Sequence, residues 1–78
     1  MKREQLREWI VATSGRISRA GLRDDTALLE LRVITSLQLM DLILFVEALA
    51  GRQIDVERLN PGSFRDVDAI CRNFLEGR

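Results

Sequence analysis

The sequence predicts an all-α fold: a small bundle of three main helices plus one short helix, with a long loop between the first and second. Three observations predict it. Apolar residues recur at a 3.6-residue period in three separate stretches, each stretch is bounded by recognisable helix starts or stops, and no segment shows the period-2 alternation of a half-buried strand. Seventy-eight residues suffice for one domain, spanning 1–78, and a chain this short buries only about 60% of its unfolded surface.

The first helix rests on Leu6, Trp9, Ile10 and Thr13, which share one face, with Arg3, Glu4, Arg7 and Glu8 outside that stripe and Gly15 as its stop. Trp9 reads as a core anchor. Residues 15–35 follow as a long connection, marked by two glycines, Ser18 and the cluster Asp24-Asp25-Thr26. Leu22, Leu28, Leu29, Leu31, Val33 and Ile34 are expected to pin it to the bundle, since burial stabilises each such side chain by about 1.5–3 kcal/mol. One helical turn is expected near residues 26–30, and a connection running the length of a helix predicts that helices one and two lie roughly parallel.

The second helix is expected from Ser36 to Ala50, with Gly51 as its stop. Leu39, Leu42, Ile43, Val46 and Leu49 form its buried stripe. Leu37, Met40 and Leu44 flank that stripe, while Gln38, Asp41, Glu47 and Ala48 face outward. The helix thus carries more apolar surface than one core stripe requires, which fits either a partner surface or a deeply buried central helix. Beyond it, Ile54 and Val56 close a short linker, Asn60-Pro61 marks a short helix start, and Ser63-x-x-Asp66 has capping-box spacing. Val67, Ile70, Cys71 and Phe74 make the last stripe, with Cys71 a small core residue.

Composition excludes several function classes. Eleven arginines and one lysine balance twelve acidic groups, and a net charge of zero disfavours nucleic acid or an acidic membrane as partner. No run approaches the roughly 20 apolar residues of a membrane span, and MKREQLREW carries charge where a signal peptide needs its apolar segment. A single cysteine forms no internal disulfide, so a reducing, cytoplasmic setting is expected. Histidine is absent, there is no cysteine pair for zinc and no glycine-rich phosphate loop, so a self-contained enzyme is not expected.

Two hydroxyls, Thr35 and Ser36, stand at the mouth of the most apolar helix. Either can cap it. If Thr35 does, Ser36 occupies the first turn with its hydroxyl available, where an attached anion is stabilised by the partial positive charge of the helix start.

The surrounding pattern resembles that of stand-alone acyl carrier proteins over nearly the full length. The family's signature is a serine followed by leucine at the start of helix two, most often Asp-Ser-Leu; here it is Thr35-Ser36-Leu37. DDTALLELRVITSL is similar to the family's first loop, and FVEALAGRQIDVERLNPGSFRDVDAI to its run from helix two into helix four, with Phe64, Val67 and Ile70 matching a Phe-x-x-Val-x-x-Ile pattern. The resemblance implies that Ser36 carries 4′-phosphopantetheine, transferred from coenzyme A by a separate phosphopantetheinyl transferase. It also implies that the chain holds an acyl or aminoacyl group as a thioester for a loading enzyme and downstream synthases. A monomer is expected. Partner docking is expected at Thr35, Leu37, Gln38, Met40, Asp41, Leu44 and Glu47, relying on Met40 and Leu44 more than on charge. Thr35 in place of the family's aspartate, and a neutral chain in place of a strongly acidic one, tilt the expectation toward a specialised or secondary-metabolite pathway. The competing expectation is an unmodified adaptor that binds another protein through the apolar surface of helix two.

Overall fold

Leu6 and Ile10 are wholly buried one turn apart, and this apolar pair seats the first helix, α1 (Lys2–Ser14), in a computed structural model that describes residues 2–55, 57 and 60–75. α2 (Ser36–Ala50), a 3-10 helix (Pro61–Phe64) and α3 (Val67–Ile70) follow, and α3 continues without a break into a π-wound stretch, Cys71–Leu75. There is no strand among the described residues. The architecture is the predicted all-α bundle of three helices with a short helix before the last.

Both long helices end on glycine because the chain must turn left-handed there. Gly15 has φ 66° and donates to the Val11 carbonyl; Gly51 has φ 75° and donates to the Glu47 carbonyl. A Cβ at either position meets nothing within 4 Å, so the backbone angle, not space, demands glycine.

The core joins all elements: Leu6 and Ile10 from α1, Leu22, Leu28, Val33 and Ile34 from the loop, Leu42, Ile43 and Val46 from α2, then Ile54, Phe64, Val67, Ile70 and Cys71. The expected α2 stripe narrows to its middle, since Leu39 and Leu49 are only half-buried. Val56, expected to close the linker with Ile54, lies outside the described residues.

The long loop departs from expectation. Residues near its start lie along α1, with Arg19 pairing with Glu4 and Glu8, and by Asp24 it has reached the first turns of α1, where Arg3 and Arg7 bind the carboxylate. It then returns. Arg16 beside the end of α1 donates to the carbonyl of Arg32, 3.2 Å away. Because the loop runs out and back, it delivers the chain to the end of α1 from which it left. α1 and α2 are therefore antiparallel, as shown by two pairings: Thr13 with Gln38, and Trp9 with Phe45. The predicted parallel arrangement is corrected on this point.

Main-chain bonds fasten the loop to the last third: Leu28 N–H to the Arg65 carbonyl at 2.8 Å, and Asp68 N–H to the Asp24 carbonyl at 3.0 Å. Arg3 bridges Asp24 and Asp68, each at 2.8 Å, so three segments meet at one guanidinium. The expected helical turn is present as a single i→i+4 bond, Leu31 N–H to the Ala27 carbonyl. That turn aims Ala27 and Leu28 inward and leaves Leu29 39% and Leu31 66% exposed, contrary to the expectation that all six loop apolar groups are buried. One turn has only one inward side.

Asn60 caps the 3-10 helix with Pro61 at its first position, as predicted, and its side chain accepts from Gly62 N–H. The spacing Ser63-x-x-Asp66 is not a capping box. Asp66 is itself the cap of α3, accepting from Ala69 N–H at 2.8 Å, while Ser63 lies inside the 3-10 helix. In the π-wound stretch the Asn73 side-chain amide donates to the Ala69 carbonyl at 2.7 Å, taking the acceptor that α winding assigns to the Asn73 N–H. No helix among the described residues is long and apolar enough to cross a membrane.

Candidate functional site

Thr35 is the cap of α2. Its backbone is extended (φ −82°, ψ 167°), its Oγ1 accepts from Gln38 N–H at 3.2 Å, and the Gln38 Oε1 accepts from Thr35 N–H at 3.0 Å. This reciprocal pair is a capping box with glutamine in the third helical position. Between the two ambiguous hydroxyls the local geometry therefore decides: Thr35 caps, and Ser36 is the first residue of the helix.

Ser36 is exposed, and its hydroxyl makes no hydrogen bond among the described residues. With no base bonded to it, the hydroxyl is not set up as an internally activated nucleophile. It is available to an enzyme that brings its own base. The free N–H groups and dipole of the α2 start add partial positive charge around it.

Beside Ser36 lies an open groove of ≈ 370 Å³, walled by Leu29, Glu30, Arg32, Ile34 and Thr35. Leu29 and Glu30 also wall a neighbouring apolar depression of ≈ 320 Å³, with Ala27, Gly62 and Arg65. Arg32 is left-handed (φ 59°), a conformation that strains a non-glycine residue by about 1–2 kcal/mol. The Arg16 guanidinium donates to the carbonyl of this strained residue.

The expected docking residues divide into two groups. Leu37 (89% exposed), Met40 (53%), Asp41 and Leu44 (57%) stand in solvent at i, i+3, i+4 and i+7, a single outward stripe on α2. Thr35, Gln38 and Glu47 are half-buried and occupied with the fold itself. The Gln38 Nε2 donates to the Thr13 carbonyl at 3.1 Å, and the Glu47 carboxylate accepts from Ile54 N–H at 2.8 Å, holding down the chain that leaves α2. The expectation that Gln38 and Glu47 face outward is corrected: Gln38 meets a last-turn carbonyl of α1, and Glu47 meets a main-chain N–H of the connection beyond α2. Asp41 is left as the exposed carboxylate of α2.

Trp9 is half-buried, stacked on Phe45, and Cys71 is buried as expected. The residues that sequence reasoning missed at the site are Leu29, Glu30 and Arg32. Nothing local marks them, because their approach to Ser36 depends on the return of the loop. Comparisons with protein-family models, curated proteins and solved structures give no match for this chain.

Proposed function

We propose that the chain is an acyl carrier protein, modified on Ser36 with 4′-phosphopantetheine. The observation that carries this reading is the division of labour at the mouth of α2: Thr35 does the capping, and the adjacent Ser36 hydroxyl is exposed and unengaged. The surroundings fit the group. A phosphodiester on Ser36 lies in the positive field of the helix start, and the adjoining groove mixes apolar walls (Leu29, Ile34) with polar ones (Glu30, Arg32, Thr35), matching an arm in which a gem-dimethyl carbon and ethylene segments are interspersed with two amides.

When attached, the group supplies a thiol that holds an acyl or aminoacyl chain as a thioester at the end of a flexible tether. The protein's own residues supply the anchorage and the address. The capped first turn fixes where the tether starts, and the stripe Leu37–Met40–Leu44 offers partner enzymes an apolar landing surface. Tethering raises the local concentration of cargo at a docked active site, to about millimolar for a short link. The partners in this reading are the transferase, a loading enzyme and downstream synthases, in a specialised or secondary-metabolite pathway of the cytoplasm.

Incubation with coenzyme A, magnesium and a promiscuous phosphopantetheinyl transferase, read by intact-protein mass spectrometry, tests the proposal. The expected result is a mass increment of one phosphopantetheine that is lost in Ser36→Ala. An unchanged mass overturns it. The exposed stripe also supports a second reading, an unmodified adaptor bound permanently through α2; an unchanged mass favours that one.

A further inference from the structure

Gln38 satisfies orphaned groups of two helices at once. Its Oε1 takes the Thr35 N–H that precedes α2, and its Nε2 donates to Thr13, a last-turn carbonyl of α1 without an intrahelical partner. Ser36 lies inside the loop closed by the first of these bonds. The N-terminal turn is otherwise the least constrained part of a helix, since its N–H groups have no carbonyl to bind. The second bond ties that turn to a different helix.

We infer that Gln38 is a positioning residue for Ser36, fixing where its Cα and Cβ stand by anchoring the first turn of α2 to the end of α1, so that the freely rotating hydroxyl starts from one place; this rests on the carrier reading. In the modification, the Ser36 Oγ–P bond forms and a phosphoanhydride P–O bond of coenzyme A breaks. Adenosine 3′,5′-bisphosphate leaves, and the hydroxyl proton passes to the transferase. Such a displacement needs the attacking oxygen in line with the bond that breaks, and a misplacement of about 1 Å can lower a rate by roughly a hundredfold. A docking residue acts differently. Its loss raises KM and leaves kcat alone, whereas loss of positioning lowers kcat.

Two substitutions separate the bonds. Gln38→Ala removes the side-chain half of the capping box and the tie, leaving the main-chain N–H of residue 38 on the Thr35 hydroxyl. Gln38→Glu keeps an acceptor for Thr35 N–H, as in the usual box, but cannot donate to the Thr13 carbonyl. The experiment measures initial rates of pantetheinylation of the full chain by a promiscuous transferase, varying carrier concentration, alongside thermal melting. Exchange of the Gln38 side-chain amide protons is followed by NMR in the unmodified protein. We expect slowed exchange in the wild type, and kcat lowered roughly tenfold in both variants with KM changed less than about twofold. Gln38→Glu should melt somewhat below the wild type, because the Thr13 carbonyl loses its donor and faces a carboxylate, so the rates are compared at a temperature where both variants are folded.

A rise in KM with unchanged kcat, wild-type kcat in Gln38→Glu, or amide exchange at the solvent rate each overturns the positioning role while leaving Ser36 as the modified residue. A wild-type chain that the transferase leaves bare overturns the carrier reading and the positioning role together.

Discussion

The indole of Trp9 lies against the ring of Phe45, centroids 5.0 Å apart and planes inclined by only 14°. This stack joins α1 to α2 about midway along both, and Trp9 is the chain's single tryptophan. Phe45→Leu keeps much of the apolar area but removes the ring. It should lower the unfolding free energy by about 0.5–1.5 kcal/mol. Urea titration followed by Trp9 fluorescence measures this directly, and an unchanged midpoint would show that the stack contributes nothing.

Thr35 serves the helix, and its replacement should show it. Thr35→Ala loses the acceptor for Gln38 N–H and should cost about 1 kcal/mol of stability. Thr35→Asp restores the residue usual in the family the chain resembles and remains a good cap. It should unfold no earlier than the wild type and, in the carrier reading, be pantetheinylated faster, since that reading puts a carboxylate here near the transferase's magnesium. Denaturant melts and modification time courses of both variants check the pair of outcomes.

Glu47 should behave as a structural residue. Glu47→Ala strips the partner from Ile54 N–H, which belongs to a buried residue, and should destabilise the fold by about 1–3 kcal/mol. Glu47→Gln keeps an acceptor and should recover most of that. If Glu47→Ala melts like the wild type yet binds partners poorly, the carboxylate is a docking group after all.

Met40 and Leu44 should show the opposite behaviour. Truncating either exposed side chain to alanine is expected to shift stability by no more than about 0.5 kcal/mol. In the carrier reading it raises the transferase's KM for the chain on the order of fivefold, the effect of losing about 1 kcal/mol of contact. With Asp41 the exposed carboxylate of α2, KM should vary little across a salt titration. A steep dependence on ionic strength would count against apolar docking.

Much of the site could be read before any coordinates. The stripe Leu37–Met40–Leu44 follows from helical spacing, and the placing of Thr35 and Ser36 at a helix mouth follows from the apolar run behind them. Which hydroxyl caps was legible in principle, since Gln38 stands three residues after Thr35, the box spacing. Gln38 and Glu47 misled because a helical wheel sorts residues by angle and cannot see an orphaned amide or carbonyl that comes to meet a polar side chain.

By itself the sequence determined the two long helices, their glycine stops, the inward face of each and the pair of hydroxyls that opens α2. All of these arise from interactions within a few residues, where periodicity and capping act. Only the tertiary structure decided that the loop turns back at Asp24, that α1 and α2 are antiparallel, that Leu29 and Leu31 stay in water, and that Thr13 and Gln38 meet across 25 positions. Those outcomes depend on which distant segment supplies the missing partner. A loop of apolar residues buries only those that the ion pairs of Arg3 and Arg7 and its bonds to Arg65 and Asp68 leave facing the core.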